Sequence, residues 1–249
     1  MASTPSSSSW LRMTRPELAV FVSGVTSMGL EILAGRMVAP EFGSSIYTWG
    51  SIIGVFLAAL SLGYHRGGQQ AERASNGALA RVFIGTAAYI AGVILLGDLF
   101  IQSTAGLPVP SRFASLPAIT LLFGPPTYFL GFISPYAAEL SGRSDVGAAS
   151  GHVYAVGTVG SIIGAFATTY FLIPSLSVTN IGLVFGLVSV VTALALARPD
   201  IGREEAVWSV GIAAVLVLAS LTGGIGLDSR GTTVYHTQTA YQELRVADA

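Results

Sequence analysis

The sequence predicts an all-α membrane protein, a helix bundle of about seven transmembrane spans arranged as a 3+3 inverted repeat plus one helix. Three observations lead to this fold class. Of the 249 residues, 52% are hydrophobic and only 10% are charged, whereas a soluble domain carries about a quarter charged residues. Long apolar runs follow one another along most of the chain, and two motifs recur in the same order roughly a hundred residues apart.

Each apolar run is long enough to cross a hydrocarbon core, which takes about 20 helical residues. The polar residues 1–16 form a predicted disordered tail, and residues 17–227 form the bundle, whose first span is retained rather than cleaved as a signal peptide. Prolines 125, 126 and 135 predict a kink in the fourth span. The seven expected spans are Leu18–Val38, Tyr47–Tyr64, Leu79–Phe100, Leu116–Glu139, Val153–Ile173, Val178–Ala197 and Ala206–Ile225.

Two recurring motifs indicate an internal duplication. Each copy has an acid, then an arginine, then the sequence Gly-Ser-Ile-Ile-Gly: Glu31, Arg36 and Gly50 to Gly54 in the first, and Glu139, Arg143 and Gly160 to Gly164 in the second. The predicted repeat units cover about residues 17–100 and 116–197, and residues 206–226 form the extra helix. Because three is odd, the second unit enters the membrane from the opposite side, as in many secondary transporters.

Arginine distribution orients the bundle in the plasma membrane. With the N-terminus inside, eight of the twelve basic residues lie in cytoplasmic segments, which the positive-inside rule favours. These are Arg12, Arg15, Arg66, Arg73, Arg81, Arg143, Arg198 and Arg203, against Arg36, Arg112, Arg230 and Arg245 on the other side. Seven spans then place the C-terminal tail outside.

The two acids are the first candidates for function. Glu31 belongs to a stripe of small residues at four-residue spacing, and Glu139 follows a comparable stripe, so both are expected to face the bundle interior. An intramembrane carboxylate is usually paired or functional. It is either a structural clamp, held by the backbone or by an arginine of the other repeat, or a group that handles substrate or protons. Arg36 and Arg143 either snorkel to the interfaces or bind substrate.

The glycine motifs are interpreted as packing sites. Gly50 with Gly54, and Gly160 with Gly164 extended by Gly157, form G-x-x-x-G patterns in apolar helices, which permit close helix approach. A nucleotide-binding interpretation fails because no strand precedes these glycines.

Composition excludes other kinds of site. The chain has no cysteine and only three widely separated histidines, so we expect neither a metal nor any other cofactor. A net charge of −1 offers no basic face for nucleic acid.

Residues 228–249 are polar and include an alternating run from Tyr241 to Val246, which predicts a β-strand. A single strand is not stable alone. We therefore expect this tail to pair with a partner that the chain does not contain.

Three segments resemble the membrane domain of the fused major-facilitator/spermidine synthase family: GLEILAGRMVAPEFG, YAVGTVGSIIGAFATTYFLIP and the tail around Ala240-Tyr241-Gln242. The resemblance implies a multi-helix domain followed by a spermidine-synthase-like Rossmann domain. It also implies that Gln242 matches a glutamine that contacts the aminopropyl donor and that Tyr241 matches the neighbouring aromatic residue. The Gly-rich cofactor loop and the catalytic acidic motif of that family are missing, so the resemblance implies no aminopropyltransferase activity for this chain alone.

The sequence leaves three functions open. The leading one is a membrane module that anchors a synthase-like partner chain or missing C-terminal domain and moves or presents a small, polyamine-like substrate. The second is an independent transporter of a small cationic or other solute, with Glu31 and Glu139 as its charge-handling pair. The third is a structural membrane assembly protein.

Overall fold

A computed structural model describes residues 13–141, 146–197, 203–222, 233–238 and 243–247. In these residues the chain forms nine α-helices and two short strands. The helices are α1 (Arg15–Phe42), α2 (Ile46–Gln69), α3 (Asn76–Ala105), α4 (Leu116–Gly131), α5 (Ile133–Leu140), α6 (Val146–Ala167), α7 (Ile173–Ser175), α8 (Val178–Ala197) and α9 (Arg203–Thr222). A π-helical turn, Thr168–Leu172, joins α6 to α7.

The first helices begin where the sequence supplies capping residues. Thr14 and Glu17 form a reciprocal capping box at the start of α1, with Pro16 in its first turn. Ser45 and Ser75 cap the backbone N–H groups that open α2 and α3. Each cap satisfies donors that have no partner inside the helix.

Six helical segments are long and apolar enough to cross a membrane, which confirms the all-α membrane bundle. They are Arg15–Phe42, Ile46–Gln69, Asn76–Ala105, Ser111–Leu140, Val146–Ser175 and Val178–Ala197. The seventh expected span corresponds to α9, whose apolar part in the described residues, Val207–Ala219, is shorter than these six. α9 packs against α3 and α8, and Leu216 lies against Gly186.

The fourth span is interrupted near Pro135, as predicted, whereas Pro125 and Pro126 lie inside the unbroken α4. α4 ends at Gly131 and α5 begins at Ile133. Pro135 has no N–H to donate to the carbonyl four residues before it, which is that of Gly131, so the regular helix breaks there. The carbonyl end of α4 and the start of α5 are thereby separated at Phe132.

The bundle is built from three helix pairs, and we call two of them, α1–α6 and α2–α4, the crossed helix pairs. α1 packs most extensively against α6, α2 packs against α4, and α3 packs against α8. If α1 is exchanged with α4 and α2 with α6, the α1–α6 pair becomes the α4–α2 pair. The exchange of α3 with α8 leaves the α3–α8 pair unchanged. This is the contact pattern that an inverted 3+3 repeat produces.

Glycine contacts show which residues of one repeat correspond to which residues of the other. A Cβ on Gly160 would meet the backbone of Phe21, and a Cβ on Gly63 would meet the backbone of Tyr128. One turn on, Gly164 faces Val25 as Gly67 faces Phe132. The facing residues of α1 and α4 are 107 positions apart, and the glycines of α2 and α6 are 97 positions apart.

This register corrects the duplication expected from the sequence. The two Gly-Ser-Ile-Ile-Gly motifs are 110 residues apart, so they do not occupy equivalent places. No atom of the described chain lies within 4 Å of where a Cβ on Gly50 or Gly54 would sit. Packing in this chain is therefore provided by Gly160 and Gly164, whereas the prediction fails for Gly50 and Gly54, which lie on an exposed face of α2.

Gly157 packs as expected. A Cβ on Gly157 would lie 3.2 Å from the Val20 side chain, and a Cβ on Gly24 of α1 would meet the Gly157 carbonyl. The helices α1 and α6 therefore touch backbone to backbone.

The C-terminal residues form an antiparallel hairpin of β1 (Thr233–Gln238) and β2 (Glu243–Ala247). The expected strand is present over residues 243–247. β2 pairs with β1 of the same chain, a pairing that the sequence did not predict, and the expected external partner stays a prediction.

Candidate functional site

A cavity of about 110 Å³ lies between the two crossed helix pairs. α1, α2, α5 and α6 each contribute to its wall. Seven hydroxyl side chains line it, and we call it the hydroxyl cavity: Ser23, Ser27, Tyr64, Ser134, Tyr154, Thr158 and Ser161. Among the described residues that line it, none is charged.

The lining follows the internal symmetry. Ser27 and Ser134 are 107 positions apart, and Tyr64 and Ser161 are 97 positions apart, which are the offsets that the glycine contacts define. Ser23 Oγ donates to the Leu130 carbonyl at 3.5 Å, and these two residues are themselves 107 apart. A residue that touches its own equivalent lies at the pseudo-twofold axis. The hydroxyl cavity therefore lies on that axis, where the two repeats meet.

The chemistry of the cavity is that of neutral hydroxyl groups. The Tyr64 hydroxyl lies beside the side chains of Ser134 and Tyr154. Ser27 and Ser23 are both buried, at 8% exposure. A hydroxyl group can donate one hydrogen bond and accept two, so this wall can bind a donor, an acceptor or water.

The hydroxyl cavity lies toward the end of the bundle at which α1 begins, and an ion pair borders it there. Glu17 Oε1 is 2.7 Å from His152 Nε2. Each of these residues is close in sequence to a lining residue, Val20 in α1 and Val153 in α6. The pair thus joins α1 to α6 beside the cavity.

Glu31 lies outside the cavity wall, one turn beyond Ser27 on the same face of α1. The next turn of that face carries Gly35, which lies against the indole of Trp49. Glu31 is partly buried, and it forms no hydrogen bond or ion pair with the residues that the structure describes. Glu31 therefore has no partner among the described residues, and since Arg143 lies outside them, both predicted roles of this acid stay predictions.

Glu139 does not face the bundle interior, which corrects the second half of the acid prediction. It is exposed near the end of α5. The offset of 107 pairs Glu31 with Ala138, so Glu139 is displaced by one residue, or about 100° around the helix. The structure does not bring the two acids together.

Of the remaining candidate residues, only Arg36 lies among the described residues. Arg36 is partly buried near the end of α1. Arg143, Tyr241 and Gln242 lie outside the described residues, so their predicted roles stay predictions.

Sequence inspection identified only part of this site. Ser23 and Ser27 stood out through their spacing with Glu31, but Tyr64, Ser134 and Ser161 did not. The signal that would have found them is the 107- and 97-residue offset, which becomes visible only when helix contacts are known. His152 and Glu17 are 135 positions apart, and no local pattern links them.

Comparison with protein-family models, curated proteins and solved structures finds no match to this chain.

Proposed function

We propose that this protein binds a small polar solute in the hydroxyl cavity and carries it across the membrane. The observation behind the proposal is the position of the cavity at the pseudo-twofold axis, where each repeat contributes a matching hydroxyl. In transporters built from inverted repeats, substrates bind at the repeat interface and access alternates as one repeat moves against the other.

Size and chemistry narrow the solute class. A volume of about 110 Å³ corresponds to about four water molecules at 30 Å³ each. The described wall has hydroxyl groups and no charge, which suits a small uncharged polar solute. A cationic solute, including a polyamine, would need Glu31 as its counter-ion, and the same acid could carry a coupling proton.

Single cysteines test whether the cavity is a solvent-accessible pathway, because the chain has none of its own. Ser27→Cys and Ser134→Cys should react with a membrane-impermeant methanethiosulfonate reagent in proteoliposomes. Ser61→Cys is the matched control, since Ser61 lies on an exposed face of α2, which faces lipid in a membrane-spanning helix, and it should stay unlabelled. Labelling of neither cavity position, or of position 61 as fast as of the cavity positions, would contradict the proposal.

Uptake measurements test transport itself. Labelled glycerol and labelled putrescine serve as uncharged and cationic probes in proteoliposomes. The double variant Ser27→Ala/Ser134→Ala should lower uptake of the transported probe about tenfold or more, because two hydrogen-bonding groups are lost. Glu31→Gln should abolish putrescine uptake and spare glycerol uptake, with Glu139→Gln as control. Wild-type uptake equal to that of empty liposomes for both probes would argue against carriage of either class.

A second function, the anchoring of a spermidine-synthase-like domain or chain, is favoured by the hairpin of β1 and β2. Two strands alone are marginally stable, and both edges of this hairpin can accept a further strand. Purification from native membranes should recover a synthase-like partner. Recovery of the protein alone, with no synthase-like sequence in continuation or adjacent, would weigh against this function.

Orientation separates the two functions. We propose a plasma-membrane protein with the N-terminus inside and the tail outside. A synthase domain that uses a nucleoside cofactor would require the tail inside. Ser229→Cys should be labelled in intact cells by an impermeant maleimide if the tail is outside, and only after lysis if it is inside.

A further inference from the structure

Two phenylalanine rings lie next to the hydroxyl cavity on the α2–α4 interface. Leu60 and Tyr64 of α2 line the cavity, and Phe56 lies one turn before Leu60 on the same face of α2. The Phe56 ring stacks on that of Phe123 from α4, with the ring centroids 6.0 Å apart and the ring planes at 29°. We call Phe56 and Phe123 the phenylalanine pair.

The phenylalanine pair lies at the end of the cavity that is farther from the start of α1. Spans alternate in direction, so α4 runs antiparallel to α1, and the Leu130 carbonyl accepts from Ser23. Residues that precede Leu130 therefore lie beside residues that follow Ser23. Phe123 precedes Leu130 by about 10 Å along α4, whereas Ser27 follows Ser23 by about 6 Å along α1. The pair is thus beyond Ser27, the last residue of α1 that lines the cavity.

This end of the cavity is closed. Phe56 and Phe123 are each 1% exposed, so solvent does not reach between the two rings. Farther along the same α1–α2 contact, the indole of Trp49 lies against Gly35. A solute in the hydroxyl cavity has no route past the phenylalanine pair in this structure.

Polar groups without partners nevertheless continue beside the closed end. Thr127 lies one turn from Phe123 on the same face of α4, and its hydroxyl is 0% exposed with no hydrogen-bond partner among the described residues. Glu31 follows Ser27 by one turn and has no partner among them either. Buried polar groups are normally hydrogen-bonded. An aqueous route that opens past the phenylalanine pair would supply both groups with water or solute.

The other end of the cavity carries no such rings. The offsets of 97 and 107 residues pair Phe56 with Val153 and Phe123 with Pro16, and equivalent residues of an inverted repeat lie toward opposite sides of the membrane. Val153 lines the cavity, and Pro16 is partly buried. A valine and a proline, beside the partly exposed ion pair described above, therefore stand where the second repeat would need two stacked rings.

We propose that the phenylalanine pair is a gate, which closes the hydroxyl cavity toward the side of the membrane where α2 begins. The structure is the state in which this gate is shut. It opens when α2 and α4 separate at the two rings, as alternating access in inverted repeats requires. The backbone contact of Gly63 with Tyr128 lies about 10 Å from Phe56 along α2, and it serves as the pivot. This inference rests on the proposed transport function.

Sided labelling of a single cysteine tests the gate. The variant Ser27→Cys is treated with a membrane-impermeant methanethiosulfonate reagent in right-side-out and in inside-out vesicles. Arg66→Cys, at the exposed end of α2, identifies the side where α1 begins. Position 27 should react from that side about tenfold or more faster than from the side where α2 begins, because a minor open state is populated to about 10% or less.

Loss of either ring should open the closed side. Phe56→Ala and Phe123→Ala, each combined with Ser27→Cys, should raise labelling from the side where α2 begins about tenfold. Phe83→Ala is the matched control, since Phe83 is 0% exposed in α3 and does not line the cavity, and it should leave that rate unchanged. Phe56→Leu keeps most of the packing volume, should give a smaller increase, and provides the test if an alanine variant does not fold.

The outcomes separate the gate from the transport pathway. Labelling of Ser27→Cys from the side where α2 begins at a rate equal to or above that from the other side would overturn the gate alone. So would the absence of any increase in the variants of Phe56 and Phe123, or an equal increase in Phe83→Ala. A position 27 that stays unlabelled from both sides in every variant would overturn the proposed pathway and the gate with it.

Discussion

The α1–α6 and α2–α4 interfaces have the same core and different ends. In the core, a glycine pair on one helix meets backbone on the other: Gly160 and Gly164 against α1, and Gly63 and Gly67 against α4. At the end of α1–α6, Glu17 and His152 form an ion pair at 2.7 Å. The equivalent positions of α2–α4 are Val55 and Gly124, which make an apolar contact at 4.0 Å from a Cβ on Gly124.

This comparison shows which features the two interfaces share and which belong to only one of them. Close backbone approach determines the geometry of the bundle and is shared by both interfaces. The ion pair is local to one of them, and it borders the hydroxyl cavity. A change of charge at that end would act on α1–α6 and leave α2–α4 unaffected.

The largest expected effect comes from breaking the shared core. Gly160→Leu and Gly63→Leu should each destabilise the bundle by about 3 kcal/mol or more, at the upper end of overpacking effects, because the added side chain meets backbone that cannot rotate away. Thermal unfolding of purified protein in one detergent measures both variants.

Gly54→Leu is the control for these variants, since Gly54 is exposed and in the same helix as Gly63. It should change the free energy of unfolding by less than about 0.5 kcal/mol. A mild effect of Gly63→Leu beside a severe one of Gly160→Leu would show that the two interfaces are not equivalent.

The fold class followed from the sequence because apolar length and low charge are properties of single segments. The six spans and the break near Pro135 could likewise be predicted from single segments. The correspondence between the two repeats could not be predicted from the sequence. The identical pentapeptides, 110 residues apart, suggested that Gly160 corresponds to Gly50, whereas it corresponds to Gly63, whose neighbours in sequence differ. The prediction for Glu139 failed for a related reason: one residue of displacement moved it to another helix face, and only tertiary contacts reveal that.

The next effect contrasts the two acids. Glu31 is partly buried within a span without a partner among the described residues, and an acid near a helix centre costs about 3 kcal/mol in a membrane. Glu31→Gln should therefore stabilise the protein by about 1 to 2 kcal/mol, less than that full cost because Glu31 is only partly buried. Thermal unfolding with Glu139→Gln as the matched exposed control measures it. A loss of stability in Glu31→Gln would mean that the acid is a structural clamp.

A smaller effect isolates the ion pair that distinguishes the two interfaces. A double-mutant cycle with Glu17→Gln and His152→Gln should give a coupling energy of about 1 kcal/mol or less, since both side chains are partly exposed and such pairs contribute little. The coupling should fall further in 1 M salt. Full additivity of the two variants at low salt would remove the ion pair as a difference between the interfaces.

The smallest effect concerns the contact on the pseudo-twofold axis. Ser23→Ala removes a hydrogen bond that, at 3.5 Å, is at the limit of useful geometry. Interhelical hydrogen bonds in membranes contribute about 0.6 kcal/mol on average, and the Leu130 carbonyl still accepts from the Phe132 N–H after the change. Ser23→Ala should thus lower the free energy of unfolding by no more than about 0.6 kcal/mol. Exposed Ser61→Ala is the control. The loss of solute-binding free energy at the hydroxyl cavity should be larger than this loss of stability. A stability loss of several kcal/mol with unchanged solute binding would assign Ser23 to the packing of the axis instead of to the proposed site.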